Sequence, residues 1–380
     1  MNAIPANDRI IFEPRDVDLS QSPLRGSLDE ETFVLGAFNP ALTVLPSGNL
    51  LMMVRVAEAL AEPVRDGIAR ALRWDPDRGY VTDAYELSKV DASDPRELRF
   101  LNRPSRVVAL TSLSWLLPVE LSPSGGRIER IHYDKIISPS ATSQEYGIED
   151  ARISRVDGMY HMTVCAASAE RHSTQLYSST DGLSYVNRGV VLDHQNKDML
   201  IFEGLVGGKF HALTRPMGML YFSYPPGSPY EAGPSINLAS SPDCLHWKPD
   251  DKPFIRPLRN SGCAVKVGGG TPPVLTPAGW LMLYHGVEEG ATVGTYRTFW
   301  ALLDRDDPAI VLENHNEVPV LESLPELTEH LGNQLYLEGV VFTTGIVDAG
   351  EDYLVASGEN DIACRLTRIS KKTFLTKTSP

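Results

Sequence analysis

Short apolar segments separated by turn residues dominate the pattern of this chain. Runs of Val, Ile, Leu, Tyr and Phe lie between glycines and prolines, and the 30 Gly and 28 Pro residues recur every few positions. Such a pattern is typical of many short strands joined by tight turns. Only Arg65–Trp74 favours a helix, and it is short. The pattern therefore predicts an all-β fold.

An internal repeat accompanies this pattern. Five times a turn glycine opens a mostly apolar run that ends in a small or polar residue. The copies begin at Gly48, Gly158, Gly208, Gly279 and Gly350. A second, weaker repeat follows several copies and indicates hairpin turns before an aromatic residue. It covers Ser179–Tyr185, Ser241–Trp247 and, more faintly, Ser122–Gly126.

Repeats of this kind, each long enough for several strands, suggest the blades of a propeller. Five copies predict a five-bladed β-propeller, and a β-sandwich with coincidental hairpins is the alternative. We expect a single domain over residues 1–380, with residues 1–30 as an N-terminal extension packed on it. The wide interval Ala57–Ser140 should hold a longer loop and strands of a further blade, including Leu110–Leu116.

Charge and cysteine usage narrow the class of protein. The net charge of −14 argues against general binding to nucleic acid or anionic membranes, although it allows a local basic pocket. The four cysteines and nine histidines are scattered, without a Cys-x-x-Cys or His-x-x-x-His pair, so we expect no metal site and no cofactor. Met1–Pro5 lacks the features of a secretion signal and no apolar run reaches membrane-span length, so we expect a cytoplasmic protein.

Candidate chemistry begins at Gly147–Ser154, where Glu149, Asp150 and Arg152 stand before an apolar run. A salt-bridged turn and a functional acid are about equally compatible with this stretch alone. Like-charge repulsion from Glu149 and burial would let Asp150 hold a proton near neutral pH. Glycoside cleavage needs such a proton donor and, in inverting enzymes, a nucleophile on the opposite face of the sugar.

Three copies of the repeat end in a basic residue: Arg55, Arg215 and His285. Charges at strand ends are commonly just solvated, but the blades of a propeller would bring these three to one place. Together with Lys197 they would form a cationic cradle for phosphate. Phosphate could then act as the nucleophile. The glycine run Val267–Thr276 lacks the ending of a phosphate loop and is better explained as a sharp loop before a strand.

Several segments together resemble glycoside hydrolase family 130, the β-mannoside phosphorylases and related β-mannosidases. The resemblance extends from about Phe38 to about Asp361. Its most specific segments are Gly147–Arg152, Lys197–Pro216, Gly268–Gly286, Leu302–Pro308 and Val340–Gly345.

The resemblance implies a five-bladed propeller and an inverting enzyme with Asp150 as proton donor, acting through a mannose hydroxyl. It implies phosphate binding by Lys197, Arg215 and His285, with Arg55 and Arg152 as weaker candidates. Substrate contacts are expected from Glu149, Asp198, Tyr284 and Asp361. The chain departs from the family pattern at Ala151, which should only loosen the turn. It also departs at Glu203 and in Ser357–Asp361, and these two differences concern sugar specificity.

Phosphorolysis of a β-linked mannosyl disaccharide or oligosaccharide to mannose 1-phosphate is the leading hypothesis, with inorganic phosphate as co-substrate. An inverting β-mannosidase is the alternative, with Asp198, Glu203 or Glu338 activating water. A non-catalytic sugar-binding propeller is the third. The expected partners are the mannoside and phosphate, with neither nucleic acid nor membrane, and a homo-oligomer is left open.

Overall fold

The computed structural model describes residues 7–103, 105–218, 220–290 and 292–374, and only the backbone of Asp251. The Met1–Pro5 stretch considered above lies outside these residues. No helix within them is both long and apolar enough to cross a membrane.

Strands account for most of the described chain. The first nine are β1 Asp8–Phe12, β2 Thr32–Val44, β3 Leu50–Leu60, β4 Val64–Arg65, β5 Ile68–Asp75, β6 Gly79–Glu86, β7 Val90–Asp91, β8 Glu97–Phe100 and β9 Val108–Leu110. The next nine are β10 Ser112–Leu121, β11 Ile128–Ile131, β12 Gly147–Val156, β13 Met159–Ala167, β14 His172–Ser179, β15 Val186–Leu192, β16 Asn196–Ile201, β17 Phe210–Pro216 and β18 Ile236–Ser241. The last nine are β19 Lys248–Ile255, β20 Lys266–Gly269, β21 Val274–Thr276, β22 Gly279–Glu288, β23 Thr295–Leu303, β24 Val311–His315, β25 Val341–Ala349, β26 Asp352–Glu359 and β27 Ala363–Ser370.

Helical segments in the described chain are short. The α-helix is α1 Pro325–Thr328, and the remaining helical turns are 3₁₀ segments at Pro14–Asp16, Leu19–Gln21, Leu87–Lys89, Tyr133–Lys135, Thr142–Gln144, Glu329–Gln334 and Lys371–Phe374. The prediction of an all-β fold is confirmed.

Most strands form five antiparallel groups that follow one another along the chain. They are β2-β3-β10-β11, β12-β13-β14-β15, β16-β17-β18-β19, β20/β21-β22-β23-β24 and β25-β26-β27-β1. The first two groups share a sheet through one parallel pair, Ser114 with Gly147. A Cβ at Gly147 would lie 2.4 Å from the backbone of Ser114, so only glycine allows this approach. The N-terminal strand β1 completes the fifth group, next to β27.

The repeat read from the sequence corresponds to one position in every group. Its five copies form β3, β13, β17, β22 and β26, the second strand of each group. In β3, Leu50 and Met52 pack into one apolar cluster while Leu51 and Met53 pack into another. Because both faces of such a strand are buried, its sequence is continuously apolar instead of alternating. The weaker repeat marks the turns between third and fourth strands, where Asp181 accepts backbone hydrogen bonds from Leu183 and Ser184.

The apolar core is divided into clusters between the groups. The five largest lie between the first and second, second and third, third and fourth, fourth and fifth, and fifth and first groups. Each group therefore buries one face against the preceding group and one against the following group, and the fifth group packs on the first.

Two sequence predictions about the interval after β3 are wrong. Arg65–Trp74 is a hairpin and not a helix, because Asp66 and Gly67 take φ of 53° and 75° and pair Arg65 with Ile68. Leu110–Leu116 does not belong to a further blade, since Ser112–Leu121 pairs along its length with β3. The extra residues instead form two three-stranded sheets, β4-β5-β6 and β7-β8-β9.

We call residues 61–111 the insertion. Its two sheets share a small core made by Ala69, Ala71, Val90, Leu98 and Ala109. This core holds the two sheets together as one unit beside the first group.

The N-terminal strand is fixed by a buried ion pair, which gives a prediction on stability. Arg365 donates from Nε to Asp8 (2.7 Å) and from Nη1 to Glu359 (2.8 Å), and Thr367 also donates to Asp8. Asp8→Ala leaves two buried donors without an acceptor, so we expect it to lower the free energy of unfolding by about 1–3 kcal/mol. Urea denaturation measures this, with Asp77→Ala at an exposed turn as control. Equal unfolding midpoints for the two variants would contradict the proposed anchoring.

Candidate active site

We call the first strand of each group its inner strand, and three inner strands, β2, β12 and β16, are interrupted by bulges. The pairing register with the second strand breaks between Phe38 and Ala41 in β2, between Glu149 and Arg152 in β12, and between Lys197 and Leu200 in β16. At each break one residue has a positive φ: Asn39 (49°), Asp150 (50°) and Asp198 (54°). Asn and Asp adopt this conformation more readily than other residues with a side chain.

The bulges bring neighbouring residues to the same side. In a regular strand, successive side chains point to opposite faces. Here both members of Phe38–Asn39, Glu149–Asp150 and Lys197–Asp198 line one cavity of about 250 Å³. Three strands therefore contribute pairs of side chains where a regular strand would contribute one.

Arg55 connects the two acids of the second group. Its Nη1 donates to Asp150 Oδ1 and its Nη2 to Glu149 Oε1, both at 2.9 Å, while Nε donates to Ser114 Oγ at 3.0 Å. Lys197 Nζ donates to the other oxygen of Glu149 at 2.9 Å. Burial alone would raise the pKa of Glu149, but the charges of Arg55 and Lys197 outweigh it and hold that pKa below its usual value.

The surroundings of Asp150 favour its ionised form. Burial favours the neutral form, but the positive charges of Arg55, Lys197 and Arg152 and a hydrogen bond from Asn39 Nδ2 (2.9 Å) hold its pKa well below the usual range. The expectation that these surroundings let Asp150 hold a proton near neutral pH is therefore wrong. The attraction of the surrounding cations exceeds the repulsion from Glu149 on which that expectation relied.

A second charged cluster lies deeper, around Asp198. Arg215 Nη1 is 3.0 Å from Asp198 Oδ2 and 2.9 Å from His285 Nε2, and Arg152 Nη2 is 3.7 Å from Asp198 Oδ1. Arg152 is 1% exposed and His285 fully buried. Burial and the charge of Arg215 hold the pKa of His285 well below its usual value, so its ring is neutral.

The glycine run Gly268–Gly270 provides room for this cluster. A Cβ at Gly268 would lie 2.5 Å from the ring of His285 and 2.6 Å from Asp198 Oδ2. The carbonyl of Gly270 accepts a hydrogen bond from Arg152 Nε at 2.9 Å. The run thus serves to pack a charged cluster closely, and not to wrap a phosphate group in a loop.

Most residues expected at the site from the sequence lie in or beside this cavity. Arg55 pairs with Glu149 and Asp150. Arg215 and His285, from two other copies of the repeat, both lie beside Asp198. Asp361 also lines the cavity, with a positive φ of 50°. Burial raises the pKa of Asp361, and the charge of Arg55 offsets this only in part.

Tyr284 is the exception among the expected substrate contacts. Its side chain points to the face of β22 opposite His285, because the two residues are adjacent in a regular strand. It packs in the apolar cluster between the third and fourth groups, and its hydroxyl donates to Asn314 Oδ1 at 2.6 Å. Tyr284 therefore does not belong to the site.

The candidate bases Glu203 and Glu338 do not line the cavity within the part of the chain that is described. Glu203 follows the far end of β16, where it accepts from the Arg155 amide at 3.4 Å, and Glu338 is exposed. Burial raises the pKa of Glu203 to about 7. This shift occurs away from the cavity, so it indicates no role there.

Tyr296 lines the cavity and Lys266 lies against it, and the sequence patterns predicted neither residue. Lys266 Nζ lies 4.8 Å from the centre of the Tyr296 ring and forms no ion pair with any carboxylate of the described residues. Burial, followed by the charge of Arg215, lowers the pKa of Lys266 to about 8. Its only signal in the sequence is its position immediately before the strand that carries the glycine run.

One group of three potential metal ligands occurs in the described chain. Atoms of Glu149, Cys165 and His172 lie within 4.8 Å of one another. Both oxygens of Glu149 already accept hydrogen bonds from Arg55 and Lys197. Because these charges would repel a cation, we do not assign a metal to the group.

Comparison with known proteins identifies the family of this chain. A profile of glycoside hydrolase family 130, described as β-1,4-mannooligosaccharide phosphorylase, matches residues 114–378. The β-1,2-mannobiose phosphorylase of Listeria innocua is 29% identical over 84% of this chain and 84% of its own length. A 1,2-β-oligomannan phosphorylase of Thermoanaerobacter sp. is 32% identical over 57% of this chain and 67% of its own.

A solved structure supports the same relationship. The Listeria innocua β-1,2-mannobiose phosphorylase, in complex with β-1,2-mannobiose, superposes with a TM-score of 0.78 at 26% identity and covers 97% of this chain and 98% of that one. Since the family profile matches well over half of the residues, the chain belongs to glycoside hydrolase family 130, as the resemblance of its motifs implied.

Proposed function

We propose that the protein is an inverting β-mannoside phosphorylase that transfers a terminal mannosyl group to inorganic phosphate. The products are mannose 1-phosphate and an acceptor shortened by one sugar. One observation carries the proposal: the site holds a paired acid on one side and a buried excess of positive charge on the other.

The positive excess matches phosphate. Arg152 and Arg215 lie beside one carboxylate, Asp198, and the charge of the partly buried Lys266 acts on the same region, while His285 is neutral. A surplus of positive charge around a buried carboxylate is costly unless an anion binds there. Guanidinium groups bind phosphate oxygens in pairs, and lysine adds a point charge. Hydrogen phosphate, close to two negative charges, is the ligand that this surplus favours.

Asp150 is the proposed proton donor, and phosphate binding allows it to become protonated. Bound phosphate neutralises part of the positive field that keeps Asp150 ionised, so its pKa rises and it takes up a proton. In the reaction the bond from the anomeric carbon to the glycosidic oxygen breaks, and a bond to a phosphate oxygen forms. The leaving oxygen receives the proton that Asp150 took up from solvent, and hydrogen phosphate releases its own proton to solvent as it becomes an ester. The overall reaction therefore neither consumes nor releases protons.

The arrangement favours phosphate over water as nucleophile. A hydrolase needs a carboxylate base across the sugar from the acid. Both oxygens of Asp198 face guanidinium groups, those of Arg215 and Arg152, and Glu203 and Glu338 are away from the cavity. A purely sugar-binding protein would have no use for the uncompensated cations.

We further propose that the five strand groups are the blades of a single five-bladed β-propeller that β1 closes. The five apolar clusters, each between consecutive groups, support a closed ring. Inner strands of neighbouring groups also contact one another, as β2 does with β12 and with β25. Strand β1 would then be part of the propeller.

The four free, buried cysteines favour a reducing compartment, and we propose the cytoplasm.

Phosphate dependence tests the proposed reaction. We expect mannose 1-phosphate from β-mannobiose only when phosphate is present, because the cationic cluster has to be occupied before Asp150 is protonated. The names of the relatives that cover most of the chain favour the β-1,2 linkage over β-1,4, so both disaccharides should be assayed by chromatography. Release of free mannose at an equal rate in phosphate-free buffer would overturn the proposal.

Asp150→Asn tests the proton donor. We expect kcat to fall by about 10² to 10⁴-fold, the usual cost of losing a general acid, with a small change in KM for the mannoside. Asp157→Asn is the matched control, since Asp157 has a similar positive φ of 49° at an exposed turn. A rate within a few-fold of the unmodified enzyme would remove Asp150 from this role.

Lys266→Met tests the phosphate cluster through pH. Lys266 is charged below its pKa of about 8 and neutral above it, so kcat/KM for phosphate should fall as the pH rises through 8. In Lys266→Met we expect a lower kcat/KM for phosphate that no longer falls in this window, while KM for the mannoside changes little. Lys209→Met, at the turn before β17, is the control. If kcat/KM for phosphate in Lys266→Met still falls through pH 8 as it does in the unmodified enzyme, a role for this charge is excluded.

A further inference from the structure

A second, larger cleft adjoins the active-site cavity. It has a volume of about 880 Å³ and lies between residues 91–106 of the insertion and residues 292–296. Five residues line both the cleft and the cavity: Arg96, Glu97, Arg106, Val293 and Tyr296. The two spaces are therefore continuous, and a ligand that reaches out of the cavity on this side enters the cleft.

The lining of this cleft is positively charged. Among the described residues, its cations are Arg96, Arg99, Arg103, Arg106 and Lys266, and its acids are Asp91, Asp94 and Glu97. Four of the five cations come from residues 96–106, which we call the arginine wall and which contain a single acid. In the whole chain Asp and Glu outnumber Lys and Arg by 49 to 35. The cleft therefore has the opposite sign of charge to the protein around it.

Two of the three acids are held by arginines of the wall. Asp94 accepts hydrogen bonds from Arg96 Nε and Nη2 at 2.9 and 2.6 Å. Both oxygens of Glu97 accept from Arg106 Nη2, at 2.6 and 2.8 Å. These two pairs cancel in charge, so the net charge of the cleft comes from its other ionised residues.

The third acid also has an arginine beside it. Asp91 lies opposite Arg99 where β7 pairs with β8, which leaves Arg103 and Lys266. Neither of these forms an ion pair with a carboxylate of the described residues. Lys266 shares the field of Arg215 in the phosphate cluster. With phosphate bound there, the surplus charge in the described part of the cleft is the single positive charge of Arg103.

The arginines at the junction of the two spaces have unused donors. A guanidinium group carries five N–H bonds. Nη1 of Arg96, and Nε and Nη1 of Arg106, donate no hydrogen bond to the described residues. Because both side chains line the cavity as well as the cleft, these donors face the space next to the terminal mannosyl group. Guanidinium groups bind anionic oxygens about twice as strongly as neutral ones.

Guidance of free phosphate towards the site is a weaker explanation for the charge. An attractive field raises the rate of encounter, and this changes turnover only when encounter is limiting. The deep cluster of Arg152, Arg215 and Lys266 already accounts for phosphate binding in the proposed reaction. The sugar next to the terminal mannosyl group, in contrast, has to lie beside Arg96 and Arg106 in every catalytic cycle.

We propose that the acceptor sugar of this enzyme carries a negative charge, as a uronic acid or a sugar phosphate does, and that the arginine wall binds this charge. The inference rests on the proposed phosphorylase activity and names its acceptor class. A single surplus charge matches a carboxylate in particular. Neutral β-mannobiose is then a slower substrate than a mannosyl uronate. The insertion that carries the wall lies outside the residues matched by the family profile, so the family assignment does not account for it.

Synthesis from mannose 1-phosphate tests the proposal. The anomeric carbon leaves the phosphate oxygen and bonds to an acceptor hydroxyl, which gives its proton to Asp150, while the released phosphate takes up a proton from solvent. The acceptors form two matched sets: glucose, glucuronic acid and glucose 6-phosphate, and mannose, mannuronic acid and mannose 6-phosphate. Phosphate release gives kcat/KM for each acceptor.

We expect kcat/KM to be at least about tenfold higher for a charged acceptor than for the neutral sugar of its set, the effect of one hydrogen bond to a charged group. Preference for the uronic acids identifies a carboxylate, and preference for the 6-phosphates identifies a phosphate ester. Raising NaCl from about 20 to about 300 mM should lower the charged-to-neutral ratio, because salt screens exposed charges.

Arg103→Glu and Arg106→Gln test the arginine wall. Both make the cleft more negative, so the charged-to-neutral ratio should fall by at least about fivefold, mainly through a lower kcat/KM for the charged acceptor. Arg78→Glu is the matched control, since Arg78 is an exposed residue of the insertion that lines neither space. It should keep the ratio of the unmodified enzyme. Thermal unfolding checks that the variants are folded.

Two results would overturn the anionic acceptor. One is a kcat/KM for every charged acceptor that is no higher than for the neutral sugar of its set. The other is an unchanged ratio in both cleft variants. If no acceptor releases phosphate from mannose 1-phosphate, and no β-mannoside yields mannose 1-phosphate with phosphate, the proposed function itself fails.

Discussion

The charge balance around Arg55 and Asp198 is the constraint on which the site depends. Ionised groups are costly to bury, and they persist here because each carboxylate faces cations from other strands. Arg55 of β3 holds both acids of β12, Lys197 of β16 holds Glu149, and Arg215 of β17 holds Asp198. The contacts of Arg55 and Lys197 join different groups of strands, whereas Arg215 and Asp198 belong to the same group. The site and the packing of the groups against one another are therefore parts of the same interaction network.

This network works only because the inner strands are irregular. A regular strand would turn Glu149 and Asp150 to opposite sides and leave one of them in an apolar cluster. The bulges at Asn39, Asp150 and Asp198 avoid this, and the positive φ at each falls on a residue type that adopts it with little strain. Backbone geometry that interrupts the pairing of a sheet is commonly found next to active sites. Here it raises the number of polar groups that reach one small cavity.

Charge also links the two halves of the proposed reaction. In the free site the cations keep Asp150 ionised, which is the wrong state for a proton donor. Binding of a doubly negative co-substrate changes the field in the direction that protonates it. Under the proposed mechanism the acid is ready only when the nucleophile is present, which disfavours hydrolysis by water. The same balance explains why a chain with a net charge of −14 has a strongly cationic cluster in its interior.

The sequence by itself determined the strand-rich fold, the five repeated strands and most of the residues at the site. The second strand of every group is buried on both faces, so it appears in the sequence as a continuous apolar run. Charged residues beside such a run are easy to recognise. Tertiary structure decided the rest. Pairing with β3 determined where Ser112–Leu121 belongs, strand alternation turned Tyr284 away, and the bulges brought neighbouring residues to one side. The protonation of Asp150 and the role of Lys266 depend on charges that are distant in sequence, and only folding brings those charges within a few ångströms.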